Sequence, residues 1–294
     1  MPSSFLSLFK RFSKRQPSIC IVIPYFGAWP EWMGLFLESC RANPSVDWLF
    51  YTDCKTPQTD IPSNVRFTDL QIQDFLAMAE RKVGIRIAWD NPYKICDLRP
   101  AFGLIFEEQL RRHQFWGWGD IDVIYGNIRL HLTEEMMSKD CVSFSKEHLS
   151  GHLCLWRNNQ TVNNWFRSLP DWQERMENLE YTQLDESHPD VIPDNFRVHA
   201  EYSFNTPLSP KTPWTDGTFN CPNEWYWTKG SLTNDIDGNR EFLYLHFMHW
   251  KGGPWPRKWG NAQWEKLDKL VHLAPGRASL GFRINENGFF PLTE

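Results

Sequence analysis

Residues 115–125 read FWGWGDIDVIY, an apolar run that carries two aspartates one residue apart. Phe115 and Trp116 before the pair, with Val123 and Ile124 after it, suit a buried strand, and Asp120 and Asp122 fall where that strand should end. Along an extended chain the side chains at i and i+2 point the same way, so the two carboxylates are expected to share one side. Two charges set among apolar neighbours are costly unless a cation neutralises them. A Mg²⁺ or Mn²⁺ ion that also bridges a diphosphate would do so, since both accept hard oxygen ligands and keep room for water and phosphate. Gly117, Gly119 and Gly126 are expected to let the backbone turn tightly and admit a ligand close to it. An Asp-x-Asp alone is a weak signal, and a solvated turn pair is its plainer reading.

Working towards the N-terminus, residues 18–24 (SICIVIP) form a continuous β-branched run ended by proline, the pattern of a buried strand. Residues 30–43 place Trp32, Leu35, Phe36 and Cys40 at helical spacing with Pro30 in the first turn. A second strand is expected at 46–51 (VDWLFY), a third at 65–67, and a helix at 74–82. Asp97 is expected to cap a helix running to about His113, with Pro100 in its first turn. This alternation predicts an α/β fold, Rossmann-like, with a mixed and mostly parallel doubly wound sheet flanked by helices. Ligands of such sheets bind beyond the carboxyl ends of the strands, where Tyr25 and Asp53 fall.

Towards the C-terminus, Thr133 is expected to cap a short helix, and strands are expected at 141–145 and 152–156. Residues 159–169 and 172–179 look helical. From Asp185 to Asn239 the chain is rich in Pro, Asn, Asp, Thr and Gly yet keeps its aromatics, which reads as ordered loops and short strands. A last apolar strand at 242–247 leads into His249, Trp250 and Lys251. The expected organisation is a leader at 1–16 and one domain at 17–294, with a first half at 17–128 and a second half with a loop-rich C-terminal elaboration at 129–294.

Of 294 residues, 41% are hydrophobic and 23% charged, the balance of a globular chain. A net charge of −5 gives no general attraction to nucleic acid. Sixteen Trp and twenty-one Phe offer faces for stacking on sugars and bases, but for any one of them a place in the core is the better expectation. Seven Cys without a C-x-x-C pair argue against a disulfide framework and against a zinc site, so a reducing cytoplasm is the expected setting. No apolar run is long enough to span a bilayer. Phe5, Leu6, Leu8, Phe9 and Phe12 are interleaved with Lys10, Arg11, Lys14 and Arg15. This reads equally as a basic amphipathic helix on the inner membrane face and as a frayed leader, and it is too charged for a secretory signal.

The chain resembles the GT-A nucleotide-sugar transferases, and more closely a bacterial family of polysaccharide-building transferases. The resemblance rests on IPYFG (23–27), YTD (51–53), KICDLRPAFG (94–103), WGWGDIDVIYGNI (116–128) and SGHLCLWRN (150–158). It implies a glycosyltransferase of hexosyltransferase type, taking a UDP-sugar or similar nucleotide-diphosphate donor and a glycan or lipid-linked glycan acceptor. Mn²⁺ or Mg²⁺ would lie at Asp120 and Asp122, with Asp122 the more direct ligand. LHFMHWKGGPW (245–255) is similar to a C-terminal element of some retaining members. There a histidine completes the metal site and a lysine meets the diphosphate, which implies His246 or His249 and Lys251. The resemblance further implies base stacking by Tyr25, a ribose or base contact by Asp53, and diphosphate contact or orientation of Asp120 by Lys94 and Arg99. It sets Ser150, Gly151 and His152 in a loop beside donor sugar and acceptor. Asp185 and Glu186 stand where such enzymes place an acceptor-side carboxylate, and Glu186 would be the base if the enzyme inverts.

Two rivals belong to other classes. Haloacid-dehalogenase phosphatases also keep an Asp-x-Asp at a strand end, but Ile124 stands where they carry Thr or Val, and no later paired-Asp motif follows. A non-catalytic carbohydrate-binding protein would use the aromatics and leave the acidic pair without a role.

Overall fold

In β1 (Ile19–Pro24), Ile19, Ile21 and Ile23 pack into one apolar cluster and Cys20 and Val22 into another, and all are buried. A strand buried on both faces belongs inside a parallel sheet covered on each side. It pairs in parallel with β2 (Val46–Thr52), which in turn pairs in parallel with β3 (Val65–Asp69). Its other neighbour, also parallel, is β4 (Phe115–Gly119). The strand order therefore reverses at β1, and the crevice outside the carboxyl ends of β1 and β4 is a topological switch point, the usual ligand position in open α/β sheets. The computed structural model that shows this describes residues 16–58, 60–146, 148–200, 224–235, 237–246, 280–285 and 288–292.

Helices cover both faces. In α1 (Met33–Arg41), Met33, Leu35, Phe36, Leu37 and Cys40 join the isoleucine face of β1. In α2 (Ile72–Val83), Phe75, Ala79 and Val83 recur every four residues, and this stripe packs on the opposite face. Seven Trp, at 48, 116, 118, 156, 165, 225 and 227, are almost wholly buried, so for these the core is the right reading.

Past β4 the chain bends at residues 120–122 and leaves the sheet as β5 (Val123–Tyr125). The strand expected to end at the acidic pair does end there, and the apolar residues after the pair form a second strand. The main sheet continues through β6 (Cys141–Ser143), β7 (Leu153–Arg157) and β8 (Val198–Ala200), giving the order β3-β2-β1-β4-β7-β6-β8. Only the two pairings made by β7 are antiparallel. The α/β class and the mixed, mostly parallel sheet flanked by helices are those expected from the sequence.

Beyond residue 223, β9 (Glu224–Thr228) and β10 (Ser231–Asn234) pair with each other, and β11 (Tyr244–His246) returns to pair antiparallel with β5. The strand expected to be last is followed by β12 (Phe282–Asn285) and β13 (Gly288–Pro291), which complete a four-stranded sheet ordered β10-β9-β12-β13. Trp225, Trp227, Phe282 and Phe289 seat that sheet on the isoleucine face of the core.

One further expectation is corrected. Asp97 caps no helix: it lies fully buried inside a 3-10 stretch, Pro92–Ala101, whose start is capped by Asn91 accepting from the Tyr93 amide. Pro92 takes the first position, where its missing amide hydrogen costs nothing, so the segment begins well before Asp97. Only short helical turns follow, at Phe102–Ile105 and Glu107–Leu110. The glycines of the acidic segment also serve the protein's own packing. A Cβ on Gly117 would lie 2.4 Å from the Cys154 carbonyl oxygen, and one on Gly119 would lie 2.7 Å from the Tyr125 hydroxyl.

Candidate active site

The acidic bend is fixed at three points. The Asp120 amide donates to the His152 carbonyl at 3.1 Å, and Trp32 Nε1 donates to the Ile121 carbonyl at 2.8 Å. Trp118 Nε1, at the end of β4, donates to the Ser150 carbonyl at 2.9 Å. Ile121 is drawn into the core, which leaves the flanking aspartates outside it.

His246 reaches them through strand pairing. The β5–β11 register sets Tyr125 opposite Tyr244, Ile124 opposite Leu245 and Val123 opposite His246, so the histidine arrives beside Asp122. His246 Nε2 lies 3.7 Å from Asp122 Oδ1 and 3.9 Å from Asp120 Oδ2. One ligand atom from each of the three residues falls within 4.8 Å of the others. Asp122 and His246 are buried, while the Asp120 side chain keeps about a quarter of its surface.

These residues fit a divalent cation. Ligands each about 2.1 Å from one ion are at most about 4.2 Å apart, a span that contains both His246–carboxylate distances. Carboxylates suit Mg²⁺ and Mn²⁺ alike, and imidazole is a ligand of transition ions.

Arg99 ties the bend to a second acidic pair. Its Nη2 is paired with Asp120 Oδ1, and its Nη1 donates to Asp185 Oδ2 at 2.8 Å and to the Gly151 carbonyl at 2.6 Å. Tyr181 donates its hydroxyl to the other Asp185 oxygen at 2.9 Å. Burial pushes the Asp185 carboxyl up to about 7, against the pull of Arg99, with Glu186 adding to the rise. Burial also raises Glu186, and Arg99 opposes it. Glu186 lies over the backbone of Gly151, where an added Cβ would stand 2.7 Å from its Oε1.

Of the residues singled out from the sequence, Asp120, Asp122, His246, Arg99, Asp185 and Glu186 are therefore brought into one connected group. Lys94 is placed elsewhere. Fully buried, it pairs with Asp97 at 2.9 Å and donates to the carbonyls of Arg175 and Glu180. Asp97 in turn accepts from the amides of Thr182 and Leu184, so this pair clamps the segment that carries Asp185. Tyr25 and Asp53 stand at the carboxyl ends of β1 and β2. Asp53 Oδ1 accepts from the Gly27 amide at 2.8 Å, and Tyr25 is stacked on Trp29 with 5.1 Å between ring centroids. His249 and Lys251, like residues 1–15 of the leader, lie outside the described residues. Tyr181 and Tyr244 join the site without being singled out by the sequence. Tyr244 has a signal, because it stands two residues before His246 on a strand and so shares its face; Tyr181 has none.

A family of unknown function (DUF6625) has a sequence model that matches residues 21–253, most of the chain. The chain belongs to that family. No curated protein matches this member of DUF6625. Among solved structures it is similar to a glycosyltransferase involved in the glycosylation of the major capsid of PBCV-1, at 12% identity and a TM-score of 0.35 over 63% of this chain and 82% of that one. It is also similar to the glycosyltransferase GlyE of Streptococcus pneumoniae TIGR4, at 11% identity and a TM-score of 0.31 over 63% of this chain and 44% of that one. Among the described residues, no helix is long and apolar enough to cross a membrane.

Proposed function

We propose that this protein is a metal-dependent glycosyltransferase that moves a sugar from a nucleotide-diphosphate donor, a UDP-sugar, to a hydroxyl of a glycan or lipid-linked glycan in surface polysaccharide synthesis. The observation that carries the reading is the convergence of Asp120, Asp122 and His246 beside the switch point of the sheet. Asp122 and His246 would hold the cation directly, since both are buried and Asp120 is shared with Arg99. Bound there, a divalent ion supplies charge neutralisation for a departing diphosphate.

The chain's own groups would do the rest. Arg99, paired with both Asp120 and Asp185, would orient Asp120 and balance the acidic pair at 185–186. If the enzyme inverts, Glu186 would accept a proton from an acceptor hydroxyl more readily than Asp185, whose two oxygens are already engaged by Arg99 and Tyr181. Tyr25 and Asp53 would meet the base and ribose at neighbouring strand ends, and Lys251 the diphosphate. A cytoplasmic location, with the basic leader on the inner face of the membrane, fits a lipid-linked acceptor.

The test is a panel of nucleotide sugars assayed for Mn²⁺-dependent hydrolysis or binding, with wild type beside Asp122→Ala. The reading predicts a signal that chelator and the substitution both abolish. Donor binding indifferent to both would sink it.

A further inference from the structure

His152 touches both halves of the candidate metal cluster. Its carbonyl oxygen accepts the amide of Asp120, at the acidic bend, at 3.1 Å. Its ring is stacked on His246, with centroids 4.4 Å apart and planes 21° from parallel. The same ring is hydrogen-bonded through Nε2 to the Tyr244 hydroxyl and meets the Tyr244 ring edge-on at 4.9 Å. Tyr244 and His246 alternate on β11 with Leu245 between them, so both face His152, which stands just before β7. All three side chains are buried.

A metal-ligating imidazole needs its plane set by neighbours, because a ring free to turn about χ2 presents its lone pair over a wide arc. Here one face of the His246 ring is covered by His152, and His152 is kept from turning by Tyr244. The main chain of the same residue holds Asp120. We propose that His152, oriented by Tyr244, is the positioning residue that sets His246 and Asp120 for a divalent cation. This rests on the metal reading given above and assigns His152 no ligand bond of its own.

The experiment titrates the full-length protein with Mn²⁺ alone and follows the free-ion signal by electron paramagnetic resonance. Urea unfolding in chelator runs in parallel for each variant. His152→Ala removes the stack and the hydrogen bond, and its Mn²⁺ affinity is expected to fall on the order of 10- to 100-fold. His152→Phe keeps a ring against His246 but loses the bond to Tyr244, and Tyr244→Phe loses the same bond from the other side. Each is expected to bind several-fold more weakly than wild type at an unchanged urea midpoint in chelator, which a purely structural role would not produce. Wild-type affinity in a folded His152→Ala protein overturns the proposal. If that variant does not fold, wild-type affinity in both phenylalanine variants overturns it instead. A wild-type protein that fails to take up Mn²⁺ sinks the metal reading and this inference with it, an outcome distinct from the other two.

Discussion

Arg99 Nη1 donates to Asp185 Oδ2 at 2.8 Å while the other terminal nitrogen of the same guanidinium is paired with Asp120. One planar fork thus holds the first residue of the acidic bend and the first residue of the pair at 185–186. Asp185 is 1% exposed and the Arg99 side chain 12%, so little water screens either partner. Arg99→Met at pH 8 should leave a buried carboxylate without its cation and lower stability by about 3 kcal/mol. Arg99→Lys keeps the charge but not the fork and should fall between. Urea denaturation of the three proteins in chelator measures both.

Asp122→Asn should separate metal binding from folding. In chelator the variant is expected to stay within about 1 kcal/mol of wild type, since the change removes one of two crowded charges. Mn²⁺ at one hundred times its Kd should stabilise the wild type by about 2.7 kcal/mol and the variant hardly at all. Thermal melts with and without the ion would show it, and an equal metal-induced shift in both proteins would contradict the ligand assignment.

Stability should also depend on pH through Asp185. Its carboxyl is raised in the folded protein to about 7 from about 3.9 in the unfolded chain, so between these values the folded state holds the extra proton. The contribution is complete below about pH 4 and is lost as pH rises through about 7, with a slope of at most about 1.4 kcal/mol per pH unit. Denaturation at pH 5 and pH 8 should therefore favour the lower pH for this group. Asp185→Asn should flatten the difference.

Two glycines should respond to alanine in opposite ways. At Gly117 the new Cβ would press on the Cys154 carbonyl, which belongs to a paired strand and cannot move aside, so a loss of about 1–3 kcal/mol is expected. At Gly151 it would press first on the Glu186 carboxylate, the end of a flexible side chain. Stability should change by less than about 1 kcal/mol, while turnover of a nucleotide sugar should drop at least about tenfold if Glu186 is the base. Unfolding and kinetic measurements on both variants make the comparison.

Much of the scaffold is legible in the sequence because its signals are local. Unbroken apolar runs mark β1 and β2, and a four-residue stripe marks α2. The strand's end at the acidic pair is legible too, but not what holds the bend at 120–122, where Trp32 bonds the Ile121 carbonyl and the core takes the Ile121 side chain. Lys94 and Asp97 are visible as charged residues near a helix start, but nothing in the sequence shows that their partners are main-chain groups at Arg175, Glu180, Thr182 and Leu184. Asp120 and Asp122 are legible as two carboxylates on one side of an apolar strand end, and His246 is reached by resemblance, whereas the contacts of Tyr181 and Tyr244 depend on chain crossings that no spacing encodes.

The antiparallel ladder between β5 and β11 has a consequence for how the cluster comes into being. Three residue pairs close a loop of more than a hundred residues, so this contact carries a heavy closure entropy and is favoured only once the surrounding core exists. A chain still emerging from the ribosome can display Asp120 and Asp122 but has no His246 to set beside them. Tight uptake of a cation would then report that the polypeptide has been made at least as far as β11 and that this strand has found its place.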